Sequence, residues 1–204
     1  AGRVKKVLED AGLPCRDQLA VTGVKAVLRG ARPGPTVALM GELDALVVPD
    51  HPRADAETGA AHACGHNAQI AGMVGAALGL SAADIAQQLA GNIEFLAVKA
   101  EEYVEIDYRL GLVKQGKTSF LCGKAELLEK GHFDDVDMAI MIHATNPQDM
   151  DDGTVAVAAS SNGFLAKSIR FLGRAAHAGV EPDKGINALS AATLALDAIN
   201  AQRE

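Results

Sequence analysis

A thiol and two imidazoles fall within five positions at His62-Ala63-Cys64-Gly65-His66, inside a run of small residues. Cysteine and histidine are the soft and borderline ligands that hold zinc, manganese and related ions. Cys64 and His66 are two apart and cannot share a helix face. They can point the same way from an extended segment or turn, and Gly65 lets the backbone bend between them. Ile70, Met73, Val74, Ala77 and Leu78 then recur at helical spacing, with Asn67 as the predicted N-cap. The motif is therefore expected on a loop entering a helix N-terminus, where partial positive charge favours thiolate over thiol. Taken alone, the same residues also suit a buried structural cysteine beside two ordinary histidines.

Acidic residues supply a second kind of chemistry. In an extended or irregular backbone the neighbours Glu101 and Glu102 face opposite ways. One can then bind a metal while the other accepts a proton from water. A solvated acidic pair is the plain alternative. His143 closes an apolar run of Met, Ala and Ile. Cys64, His66, one of the two glutamates and His143 would make a mixed thiolate, imidazole and carboxylate set, and such a set with an open position suits water activation. His177 lies in the glycine-bounded turn Gly173–Gly179, where it could donate to a developing oxyanion or simply face solvent. His51 and His132 read as solvent-facing, and Cys15 and Cys122 as structural. His62 reads as structural or as a neighbour of the ligands. A cysteine hydrolase, with Cys64 as nucleophile and His66 or His143 as base, is the competing chemistry.

These residues need elements to position them. Arg3 to Ala11 reads as a helix stopped by Gly12, and Leu19 to Leu28 as one or two strands. Arg29 to Pro35 is a turn cluster, followed by a short apolar strand from Thr36 to Met40. The helix after Cys64 should reach about Leu80, with a further short helix from Ser81 to Ala90. Strands are expected at Asn92–Val98 and Val136–Ile142, and a helix at Gly123–Lys130. Tyr103 to Cys122 shows no assignable pattern. Strands alternating with helices predict an α/β fold, a mostly parallel sheet flanked by helices. Glu42 and Asp44, Glu101 and Glu102, and His143 each follow an apolar strand. In open α/β sheets the ligand site lies beyond the carboxyl ends of the strands, so these residues should converge at one edge.

After His143 the character changes. Asn146 to Gly153 reads as a polar linker, Thr154–Ala159 and Phe164–Phe171 as strands, and Asn187–Asn200 as a helix. Residues 1–160 are thus expected to form a catalytic domain and residues 161–204 the start of an α+β domain. Nearly half of the 204 residues are hydrophobic, enough for a core. A formal charge of −7 argues against a nucleic-acid surface and gives no polybasic membrane patch. The three well-separated cysteines make a disulfide framework unexpected, and a reducing cytoplasm is the default compartment.

Four stretches together resemble a known family. They are His62–His66, the strand ending in Ala100-Glu101-Glu102, Phe133-Asp134-Asp135-Val136-Asp137 leading to His143, and Gly173-Arg174-Ala175-Ala176-His177-Ala178. Their order and spacing are similar to those of the aminoacylase and carboxypeptidase family of dinuclear metallohydrolases. The nearest branch is the amidohydrolases that cleave N-acyl amino acids, hippurate, auxin conjugates and aminobenzoyl-glutamate. The resemblance implies two divalent ions, zinc, manganese or cobalt, bridged by Cys64, with His66, Glu102 and His143 as further ligands. It implies Glu101 as general base and His177 as the lid residue that polarises the substrate carbonyl, often across a homodimer formed by the lid domain. Asp44 matches an acidic position beside the site. Asn67 stands where the family commonly has Asp, and Lys99 where it commonly has Pro. Family members are roughly twice as long, so the resemblance implies further sequence, including a last histidine ligand, beyond this stretch. A non-catalytic binding protein that keeps the fold is the remaining alternative.

Overall fold

The computed structural model describes residues 1–82, 85–145, 155–157, 163 and 167–203. The chain divides into two compact units, Ala1–Asp152 and Gly153–Glu204.

The first unit contains strands β1 (Cys15–Leu19), β2 (Gly23–Arg29), β3 (Arg32–Glu42), β4 (Leu46–Val47), β5 (Ala60–Ala61), β6 (Ala90–Val98) and β7 (Met138–Met141). Its helices are α1 (Gly2–Asp10), α2 (His66–Ala82), α3 (Ile106–Lys114) and α4 (Gly123–Glu129). The main sheet has the order β1-β2-β6-β3-β7. β3 pairs in parallel with β6 and β7, while β2 runs antiparallel to both its neighbours. Four of the five strands therefore point one way, which is the mostly parallel α/β sheet that the alternation of elements predicts.

β6 lies in the middle and is buried on both faces. Ile93, Phe95 and Ala97 pack with residues of α1 and α2 such as Leu8, Met73 and Ala77. Leu96 and Val98 face the other way, onto Leu127 of α4. This period-2 alternation places residues of one parity on the α4 side. Asp137 anchors β7 beside β3: its carboxylate accepts from the Thr36 amide at 2.8 Å, and its own amide donates to the Thr36 carbonyl at 3.0 Å.

Several local expectations are revised. β3 begins at Arg32, inside the stretch read as a turn cluster. Arg32 pairs with Ala90, and the register shifts before Thr36, so the two prolines occupy an irregular strand end that needs no ladder amide from them. The strand pair expected in Leu19–Leu28 begins earlier, at Cys15. α2 starts at His66, so Asn67 is not its cap. The Gly65 carbonyl accepts the first helical amides, from Ala68 and Gln69, with Gly65 at φ +91°. α2 runs to Ala82, and a single 3-10 turn at Ile85–Gln87 stands where a second helix was expected. The unassigned stretch Tyr103–Cys122 holds α3. Among the described residues no helix is long and apolar enough to cross a membrane.

In the second unit, α5 (Ala188–Asn200) is capped by Asn187, whose side chain accepts from the amides of Leu189 and Ser190. Arg174 and Ile186 exchange backbone hydrogen bonds of 3.0 and 2.9 Å, which closes the loop carrying His177. The strands expected at Thr154–Ala159 and Phe164–Phe171 lie partly outside the described residues, and their described portions, 155–157 and 167–171, form no strand. The expected linker and domain boundary lie outside the described residues, apart from the division between the two units.

Candidate metal centre

The three parallel strands β6, β3 and β7 deliver their carboxyl ends to one edge. β3 ends at Glu42 and leads to Asp44, β6 leads to Glu101 and Glu102, and β7 leads to His143. α2 crosses this edge closely. A side chain at Gly41 would meet Ile70 Cδ1 at 2.9 Å, so the small residue lets the helix lie against the strand end. The approach brings His66, at the first turn of α2, over the ends of the strands.

Cys64, His66 and His143 come together there, each offering a ligand atom within 4.8 Å of the others. Cys64 Sγ is 3.6 Å from His143 Nε2. The His66 and His143 rings lie edge to face with centroids 6.1 Å apart. Both rings are oriented by a backbone carbonyl, which can only accept. His66 Nδ1 donates to the Asp44 carbonyl at 3.0 Å, and His143 Nδ1 donates to the Ala144 carbonyl at 2.6 Å. In each neutral ring Nε2 is then the lone-pair nitrogen, and both are aimed inward.

Around this trio stand four carboxylates. Asp44 Oδ2 accepts the amides of Glu101 and Glu102 at 2.7 and 2.9 Å, so one side chain fixes the turn that carries both glutamates. Glu102 Oε1 is 3.9 Å from His66 Nε2. Glu101 forms a second group with Glu42 and His66, again within 4.8 Å. Burial, reinforced by the charge of Glu42, pushes the Glu101 carboxyl above its ordinary range. The Cys64 thiol is pushed up to about 12, first by its hydrogen bond with the Glu102 carboxylate, then by burial and the neighbouring carboxylates. With the site metal-free, the clustered negative charge thus opposes the thiolate that the helix terminus favours.

The donor set fits a divalent cation. His66 is 1% exposed and its Nε2 has no hydrogen-bond partner, although Glu42 Oε2 lies only 3.0 Å away. A buried imidazole nitrogen left unpaired beside a carboxylate oxygen is unfavourable unless a proton or a cation satisfies both. Thiolate, imidazole and carboxylate groups converging with lone pairs inward are what zinc, manganese and cobalt take.

The structure thus brings together Cys64, His66, Glu101, Glu102 and His143. His177 lies in the second unit, exposed in its turn, where its Nδ1 accepts the Gly179 amide at 3.1 Å. Two participants had no role assigned from the sequence. Glu42 was expected at the converging strand edge but given no part in the chemistry, and it is 1% exposed. Lys124, on the first turn of α4, forms an ion pair with Glu42 Oε1. It lies 82 positions from its partner, and no local pattern announces the contact.

A family model described as peptidase family M20/M25/M40 matches residues 38–202. N-acetyl-L-cysteine deacetylase of Bacillus subtilis (strain 168) is 30% identical over 93% of this chain and 42% of its own length. Indole-3-acetyl-aspartic acid hydrolase of Enterobacter agglomerans is 33% identical over 88% of this chain and 39% of its own. Among solved structures, the Bacillus subtilis YXEP protein, described as a dinuclear metal binding peptidase from the M20 family, superposes with a TM-score of 0.53 at 26% identity. That match covers 68% of this chain and 34% of that one. The chain therefore spans about two fifths of the length of these curated relatives.

Proposed function

The chain belongs to peptidase family M20/M25/M40, and from that premise we propose that the whole protein is a metal-dependent amidohydrolase. It cleaves the amide bond of N-acyl amino acids or related small conjugates. The observation that carries the reading is the convergence of Cys64, His66 and His143, with the Nε2 lone pairs of both histidines turned inward. A structural cysteine with two ordinary histidines would not need a buried, unpartnered imidazole nitrogen beside a carboxylate oxygen.

Cys64, His66, Glu102 and His143 would hold two divalent ions, zinc, manganese or cobalt. Bound there, the ions would supply Lewis acidity that polarises the amide carbonyl and makes water a nucleophile at neutral pH. Glu101 takes the proton of the attacking water and returns it to the departing amine nitrogen. Its position suits the role, because Asp44 holds its backbone while its carboxylate faces His66 and Glu42. Asp44 also keeps His66 in the tautomer whose Nε2 is free to ligate. Residues 161–204 would open a lid and dimerisation domain, from which His177 donates to the oxyanion that develops on the carbonyl. In a homodimer that histidine would act on the neighbouring subunit.

The test is metal content and turnover of the full-length protein on a panel of N-acetyl amino acids, N-benzoylglycine and p-aminobenzoyl-glutamate. Stoichiometric bound metal, hydrolysis lost on chelation and regained with Zn²⁺, Mn²⁺ or Co²⁺ is the expected result. Hydrolysis indifferent to chelators, and abolished by thiol alkylation, would instead assign Cys64 as a nucleophile.

A further inference from the structure

We propose that Glu42 is an additional ligand of the ion held by His66, and that Lys124 is an internal cation that holds the Glu42 carboxylate until that ion binds. The inference rests on the metal-dependent reading above and extends it to two residues which that reading leaves without a role.

Glu42 is nearly sealed from water, and a buried carboxylate is strongly unfavourable unless it is paired. One oxygen has its partner in Lys124. The other, Oε2, stands 3.0 Å from His66 Nε2 without forming a hydrogen bond to it. So close an approach without hydrogen-bond geometry means that the oxygen lies off the direction in which the ring nitrogen would donate. Two ligand atoms each about 2.1 Å from a shared ion are themselves roughly 3 to 3.4 Å apart at right-angled to tetrahedral geometry. The Glu42–His66 separation therefore suits neighbouring ligands of one ion better than an imidazolium–carboxylate pair. Glu101 offers a third atom within 4.8 Å of both.

The two sides of the Glu42–Lys124 pair are unequal. The Glu42 amide donates to the buried Gln69 side chain at 2.9 Å, and the following Leu43 amide donates to the Val98 carbonyl at 2.8 Å. The main chain of Glu42 is thus held at the strand end, and its side chain is buried there. Lys124 has a side chain 30% exposed on a flexible stem, and its ammonium can return to water. When an ion takes Glu42, the lysine is the partner that leaves. Before then it keeps the carboxylate from standing uncompensated beside Glu101, Glu102 and Asp44.

Co²⁺ titration of the metal-free protein, followed by calorimetry and visible absorption, tests both parts. Glu42→Gln is expected to weaken binding of one Co²⁺ by about 10–100-fold or more, with Glu42→Asp recovering part of the loss. The thiolate-to-cobalt charge-transfer band from Cys64 should remain. Lys124→Met should tighten Co²⁺ binding several-fold, and should have no such effect in the Glu42→Gln background. Far-ultraviolet circular dichroism checks folding. If Glu42→Gln does not fold, Glu42→Asp and Lys124→Met decide the matter. Wild-type affinity in Glu42→Gln, while Cys64→Ser loses the charge-transfer band, would overturn the role of Glu42 and leave the metal reading standing. Absence of any Co²⁺ uptake by the wild-type protein would overturn both.

Discussion

Nδ1 of His66 donates to the main-chain carbonyl of Asp44 at 3.0 Å, while the carboxylate of the same aspartate accepts the amides of Glu101 and Glu102. One residue thereby sets a histidine tautomer through its backbone and a glutamate pair through its side chain. The two functions are separable by mutation. Asp44→Ala keeps the carbonyl and removes the carboxylate. It should leave His66 oriented but loosen the Glu101–Glu102 turn, lowering metal affinity by about 10–100-fold, as loss of an outer partner does. Asp44→Asn retains one acceptor oxygen and should lose less. Calorimetric titration of both variants with Zn²⁺ measures the difference, and equal affinity in Asp44→Ala and wild type would detach Asp44 from the site.

Gly65 makes the turn between Cys64 and His66 possible. Its φ of +91° is a region that residues with a Cβ rarely enter, and an added Cβ would meet that of Ala144 at 3.0 Å. Gly65→Ala is therefore expected to cost about 1–3 kcal/mol in unfolding free energy. It should also push the loop after β7 away from Cys64, lengthening the Cys64–His143 approach. Urea unfolding gives the first quantity. The second should appear as a weaker charge-transfer band at saturating Co²⁺.

Helical periodicity made α2 legible in the sequence, with buried positions at His66, Gln69, Met73 and Ala77, while short unbroken apolar runs marked β6, which is buried on both faces, and β7, which is exposed. The candidate trio was legible for the same reason: parallel strands end at one edge, so polar residues after apolar runs meet there. What failed has physical causes. Pro33 and Pro35 announce a turn, but at an irregular strand end they cost the ladder little, so β3 starts earlier than composition suggests. α3 carries a buried Arg109, which donates to the Leu121 carbonyl and masks any apolar stripe. The electrostatics of Cys64 in the metal-free site depend on Glu102, Glu101 and Glu42, which are distant in sequence, so a local argument from the helix terminus leaves out the larger influence. Glu42 and Lys124 meet only through the packing of α4 on the sheet.

A second buried ion pair, Lys25 with Glu94, lies in the sheet between β2 and β6. Lys25 Nζ is 2.7 Å from Glu94 Oε1, and the side chains are 6% and 0% exposed. Burial raises the Glu94 carboxyl above the ordinary glutamate range, and the lowering effect of Lys25 is the smaller influence. A carboxyl with a raised folded-state pKa binds more protons folded than unfolded. Its contribution to stability therefore declines as pH rises from the unfolded to the folded value. Lys25→Met removes the compensating charge and should cost about 3–5 kcal/mol where Glu94 is ionised, and less at acidic pH where it is neutral. Denaturant unfolding at a series of pH values should show the Lys25→Met penalty growing with pH. A pH-independent penalty would mean that packing, not charge, is what Lys25 contributes.

Glu101 and Glu102 are adjacent, and both reach the centre, yet their neighbours differ. Glu102 is the carboxylate that acts most strongly on the Cys64 thiol and stands 3.9 Å from His66 Nε2, while Glu101 sits with Glu42 and His66. If Glu102 ligates and Glu101 moves the proton, the two substitutions must fail differently. Glu101→Ala in the full-length protein should retain bound metal and lose kcat by a factor on the order of 10² or more, as removal of a general base does. Glu102→Ala should lose metal affinity first, with activity recovering in part at high Zn²⁺ or Mn²⁺. Metal analysis beside steady-state kinetics on an N-acetyl amino acid separates the two patterns. Near-wild-type turnover in Glu101→Ala, or rescue of that variant by added metal, would exchange or abolish the assignments.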